Sequence, residues 1–165
     1  SIRRQRQMCI RDRTYSNDAK IRIKVIENDV IHDEDAAARL GLDPVDELIC
    51  LKRLRYVDDV LSRYSVLYLP ASRFPKILTH DFSDESLSDF LLKAYAVQLV
   101  ENEVSVHIEN LCDRLAAVLN LEVGTPAITA YSTVKDKFGT IIAFGASVYA
   151  PNSGEIRFHL HSNAA

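Results

Sequence analysis

Two arginines set two residues apart, Arg53 and Arg55 in the stretch LKRLRYVDDV, are the residues of this 165-residue chain best suited to chemistry. In an extended segment that spacing puts both guanidinium groups on one face. A guanidinium pair aimed one way recognises carboxylate or phosphate by bidentate hydrogen bonds. The other reading is a pair of salt bridges to acids on a neighbouring strand, and residue types alone leave both standing. A second element that suits an anion is a helix opening at Ser86, where free backbone N–H groups, the hydroxyls of Ser86 and Ser88 and the positive end of the helix dipole converge. Asp84 and Glu85 stand at the same helix start and would repel an anion if they faced it, and Ser86 and Ser88 also fit as ordinary first-turn residues.

These side chains need elements to position them. Ile49 and Leu51 share the strand face of Arg53 and Arg55, so the strand begins in a core and leaves it. Residues 51–70 read as a hairpin, and the unit that contains it occurs twice. Residues 33–70 and 113–151 each begin with an alanine-rich helical turn (Ala37 and Leu40, Ala116 and Leu119), pass Gly41 or Asn120 where the helix should stop, and continue as two strands ending in Tyr-x-Pro, with a longer turn in the second copy. Between the units, residues 86–95 carry Leu87, Phe90, Leu91 and Ala94 at the spacing of an amphipathic helix. Further strands are expected at 21–27, 97–108 and 155–160. The pattern predicts an α+β domain with a mainly antiparallel sheet, short helices covering one face and two repeated helix-hairpin units.

Composition narrows the function. The chain has 47% hydrophobic and 26% charged residues, which is globular, and its net charge of -3 argues against a surface that neutralises many phosphates of nucleic acid. Cys9, Cys50 and Cys112 are too few and too scattered for a disulfide framework or a zinc site; Cys50 and Cys112 read as small buried residues, and a reducing cytoplasm is the expected setting. No apolar run is long enough to span a bilayer. His32, His80, His107, His159 and His161 have no acid or cysteine at a familiar ligand spacing, so no metal is expected. The five glycines are isolated, no nucleophile stands with its base, and no catalytic residue and no cofactor is expected. Residues 1–13, with five arginines and no period, read as a non-native or disordered basic tail, similar to translated adapter sequence; residues 14–165 read as a single ligand-binding domain.

From about Ile21 to Leu160 the chain resembles the UTRA (UbiC transcription regulator-associated) effector-binding domain of HutC-type regulators in the GntR superfamily. The pieces AARLGL…LICLKRLRYVDD, YLPASRFPKI, SLSDFLLKAYAVQL, DRLAAVLNLEVGTPAI and DKFGTIIAFGASVY carry it, in the family's order. The resemblance implies a chorismate-lyase-like fold, a homodimer, and a small-molecule effector that controls the DNA affinity of a winged helix-turn-helix domain expected before residue 1. Carried over position by position, it places effector contacts on Arg53, Arg55, Ser86, Ser88 and Tyr149. Acidic residues that hold the sugar in sugar-phosphate sensors correspond to Ser65 and Ala143 here, so an amino-sugar phosphate loses two acceptors. A phosphonate, another phosphorylated metabolite or a carboxylate fits better. Two other classes remain: a chorismate-lyase-like enzyme on the same fold, which needs a positioned acid beside the arginines, and a dimerisation module that binds no anion.

Overall fold

The computed structural model describes residues 19–151. The tail at 1–13 and the strand expected at 155–160 lie outside them. In chain order the elements are β1 (Ile21–Ile31), α1 (Glu34–Arg39), β2 (Leu48–Val57), β3 (Val60–Pro70), a short 3-10 helix (Pro75–Thr79), α2 (Leu87–Tyr95), β4 (Leu99–Asn110), α3 (Asp113–Leu119), β5 (Pro126–Asp136) and β6 (Ile141–Tyr149). The six strands form one antiparallel sheet in the order β1-β2-β3-β6-β5-β4. Each repeat is therefore longer than the helix and hairpin alone: it is strand, helix, hairpin, and the two copies join through β3 and β6 at the centre of the sheet.

Helices cover both faces of the sheet rather than one, and strand alternation explains how. In β2, Leu48 and Cys50 point to the side of α1 and α3, where they pack in clusters with Ala37, Leu40, Ala116 and Leu119. Ile49 and Leu51 point to the opposite side, where Phe74, Ile77, Phe82, Phe90 and Leu91 from the 3-10 helix, α2 and the loop between them close over them. α1 and α3 end alike: Gly41 and Asn120 take φ of +70° and +54°, and the amides of Leu42 and Leu121 each donate over 2.9 Å to a carbonyl back in the helix, that of Ala37 or Ala116. A left-handed residue after the last turn is what such a hydrogen bond requires.

The two turns differ. Asp58 and Asp59 both have positive φ, 47° and 64°, and join β2 to β3 as a two-residue hairpin turn, the type that suits the twist of the strands. The second turn, 137–140, is built around Asp136. Its Oδ1 accepts from the amides of Phe138 (2.9 Å) and Thr140 (3.0 Å), and its Oδ2 from Arg73 (3.1 Å). Burial alone would raise this carboxyl, but the Arg73 and backbone hydrogen bonds outweigh it and hold the group below the usual carboxylate range. Each hairpin also carries a bulge, at Ser62 in β3 and Ile142 in β6, where one residue has no partner across the ladder.

Cys50 is buried, as its type suggests, and burial pushes its thiol up to about 11. Cys112 is exposed instead, because it stands at the N-terminus of α3. No helix among the described residues is long and apolar enough to cross a membrane.

A depressed carboxyl contributes stability above its unfolded pKa and loses it as pH falls through its folded value. Asp136→Asn is expected to lower stability by about 1–3 kcal/mol at neutral pH, since two backbone donors and a guanidinium lose a charged acceptor. In urea melts, the gap between wild type and variant should close as pH falls below about 4.

Candidate functional site

A cavity of ≈ 380 Å³ opens between the α2 side of the sheet and the start of α2. Its floor is strand residues and its rim the first turn of α2 together with the start of β4. The alternation that buries Ile49 and Leu51 under the 3-10 helix and α2 carries Arg53, two residues on, beyond that apolar cover and into the cavity.

The cavity brings together four of the residues anticipated from the sequence, Arg53, Ser86, Ser88 and Tyr149. Ser65 lies on the same sheet face, in register between Arg53 and Ser147, but is buried and does not line the cavity. Arg55 is also buried and outside the lining, and it is not without a partner.

Ser86 is the N-cap of α2, one residue before the helix begins. Its Oγ accepts from the Asp89 amide at 3.2 Å and donates to the Asp89 carboxylate at 2.6 Å, and it lies 3.2 Å from Ser88 Oγ. The acids feared at this helix start are disposed otherwise. Glu85 binds Lys93 at 2.5 Å and stands 2.9 Å from His80 Nε2, and the Lys93 contact holds its carboxyl low. Asp89, not Asp84 or Glu85, is the acid of this helix that lines the cavity.

Of the cavity residues that escaped sequence reasoning, among them Asp89, Glu101, Asn102, Ser132 and Ser147, Arg63 is the cation. A hairpin closed at Val57 and Val60 without irregularity would set Arg63 across from Leu54, facing α1 and α3. The bulge at Ser62 advances β3 by one residue, so Arg63 pairs with Arg55 on one side and Tyr149 on the other and enters the cavity. A slip of one residue exchanges sheet faces. Ser62 holds the bulge: its Oγ donates to the Arg55 carbonyl at 3.1 Å, and its own carbonyl accepts from the Ala150 amide at 3.0 Å. The guanidinium of Arg63 lies 5.9 Å from the Tyr149 ring centre.

The lining holds two arginines, Arg53 and Arg63, and two acids, Asp89 and Glu101, and neither arginine forms an ion pair among the described residues. Arg53 Nε and Arg63 Nε are buried with no hydrogen-bond partner among the described residues, as is Asn102 Oδ1 on β4. Burial, and then the positive charge of Arg63, push Arg53 down to about 10. The lining acids are occupied: Asp89 by Ser86, and Glu101 by Lys135 at 3.1 Å.

The two Tyr-x-Pro endings are not equivalent. Seven residues beyond each bulge stand Leu69 and Tyr149, so Tyr68 is out of step with Tyr149. Tyr68 pairs with Phe144, stacked at 6.4 Å on the α1 side, whereas Tyr149 faces the cavity.

The UTRA domain family model matches residues 16–153. The chain belongs to the UTRA domain family. No curated protein matches it. Solved structures share the fold. YydK from Bacillus subtilis aligns at TM-score 0.74 and 21% identity, covering 89% of this chain and 65% of that one. PhnF from Mycobacterium smegmatis aligns at 0.79 and 19%, covering 88% and 64%, and its effector domain alone at 0.77 and 19%, covering 87% and 89%. A GntR-family transcriptional regulator from Bacillus cereus aligns at 0.76 and 17%, covering 86% and 99%. This UTRA domain thus spans about 65% of YydK and 64% of PhnF.

Ser86→Ala removes the only side-chain cap of α2 and frees Asp89. The expected cost is about 1 kcal/mol of stability. Hydrogen exchange should show faster opening in the first turn of α2 and no change in β3 or β6.

Proposed function

We propose that this UTRA domain is the effector-sensing part of a bacterial HutC-type transcriptional repressor of the GntR superfamily, and that it binds a small anionic metabolite without transforming it. The observation that carries the reading is the cavity itself: Arg53 stands half-buried at its floor, its buried Nε without a partner among the described residues, and the start of α2 stands at its rim. Phosphorylated compounds, phosphonates and carboxylates are the ligand classes that such donors recognise. The effector domain of PhnF and the transcriptional regulator from Bacillus cereus, which share the fold, point the same way. The regulated partner is DNA, reached through a winged helix-turn-helix domain preceding this one, and the working form is a homodimer in the cytoplasm.

The mechanism is a population shift. A ligand that draws Arg53 and the α2 start together favours one arrangement of the domain pair, and its differential affinity for two states is the regulatory signal. Binding both states equally would transmit nothing. A lyase on this fold would need an acid free to move a proton beside the arginines. Asp89 and Glu101 are each committed to a hydrogen bond, which favours sensing over turnover.

The test is thermal stability against a panel of phosphates, phosphonates, sugar phosphates and carboxylates. A ligand of the native state raises Tm in a concentration-dependent way, by an amount equivalent to about 2.7 kcal/mol at a hundredfold excess over Kd. One compound class should shift the wild-type domain and leave Arg53→Ala unmoved. An equal shift in both proteins, or sustained product formation from chorismate, counts against the reading.

A further inference from the structure

The second cation of the cavity is Arg63 rather than the expected Arg55, and its placement beside Arg53 is costly unless a ligand answers it. Arg53 and Arg63 sit on adjacent strands of the same sheet face, at the ends of neighbouring register pairs: Arg53 opposite Ser65, Arg63 opposite Arg55. Like charges directly across a ladder repel. Both Arg53 and Arg63 line the cavity, both have a buried Nε without a partner, and neither forms an ion pair among the described residues. A bulge is spent on bringing Arg63 here, since without it the side chain would face α1 and α3. A residue that served only as a strand position would need no such device, and bulges beside binding sites commonly re-aim one side chain.

We propose that Arg63 is the second arm of an anion clamp with Arg53, and that the clamp selects a doubly charged tetrahedral group, phosphoryl or phosphonyl, over a carboxylate. The proposal deepens the sensing reading and rests on it. Two half-buried guanidinium groups without an ion-pair partner among the described residues match two negative charges; a carboxylate brings one and leaves the second cation unpaired. A tetrahedral group also offers three oxygens, enough to accept from both guanidinium groups and still from the Ser86 end of the cavity, whereas a carboxylate has two. The empty clamp is self-repelling, so ligand binding removes strain as well as adding contacts.

Two consequences separate this from an ordinary structural arginine. Arg63→Met keeps the length of the stem against Tyr149 but removes the charge, so the variant should be at least as stable as wild type without anions. Arg63→Gln, neutral and polar, is a second route to the same reading. Thermal melts would be run at matched ionic strength with inorganic phosphate at pH 8, sulfate or acetate as the probe. Phosphate and sulfate should raise the wild-type Tm by roughly 3 °C or more at saturation. Acetate should not, and neither Arg63 variant should respond to any of the three. The clamp is overturned if acetate matches phosphate, if the phosphate shift survives in both variants, or if both melt below wild type in the absence of anions. A metabolite that shifts wild type and the Arg63 variants alike, but not Arg53→Ala, removes the clamp and leaves the sensing function intact. A wild-type domain that answers no anion and no metabolite removes both.

Discussion

The pairing of β3 with β6 is the constraint on which the rest depends. Each half of the chain supplies three strands, and only this ladder makes them one six-stranded sheet. The contact is close: a Cβ at Gly145 would meet Leu67 Cδ2 at 2.5 Å and the Val66 carbonyl oxygen at 2.7 Å, the second of which is backbone and cannot turn away. The same ladder aligns Arg63 with Tyr149 and Ser65 with Ser147, so the pairing that completes the sheet also lays the floor of the cavity. Folding and binding share one set of hydrogen bonds.

Burial divides the work between the two sides of the sheet. The α1 and α3 side is closed by small helices over Cys50, Val66 and Val148. The other side is apolar where Ile49, Leu51, Leu69 and Ile142 pack with Phe74, Phe82 and Leu91, and at the cavity polar and charged residues join the apolar ones. Arg53 marks the transition. A guanidinium at the border of a dry core is desolvated, which lowers its pKa.

Much of this was legible in the sequence because it rests on local rules. The period-two run from Ile49 to Arg53 gave the face, the amphipathic stripe with Ser86 before it gave α2 and its cap, and Gly41 and Asn120 gave the helix ends. What escaped depends on register. A bulge at Ser62 has no turn residue or glycine to announce it, and yet it decides on which side Arg63 falls. The helices on both faces were missed for a related reason: residues 86–95 show which stripe of α2 is apolar but not which side of the sheet receives it. The Tyr-x-Pro endings misled because they are alike in letters and differ by one residue in phase. Glu85 looked obstructive in sequence, but its contacts with His80 and Lys93 settle its direction.

The duplication, finally, bears on stoichiometry. A sheet made of two like halves related by a pseudo-two-fold axis could offer two like half-sites. Matched on the bulges, the counterparts of Arg53 and Arg63 are Ser132 and Ala143. One half has kept the cations and the other has become their neutral wall, Ser132 lining the same cavity from across the axis. The symmetry of the backbone is thus cancelled in the side chains, and the cations of the cavity come from one half alone.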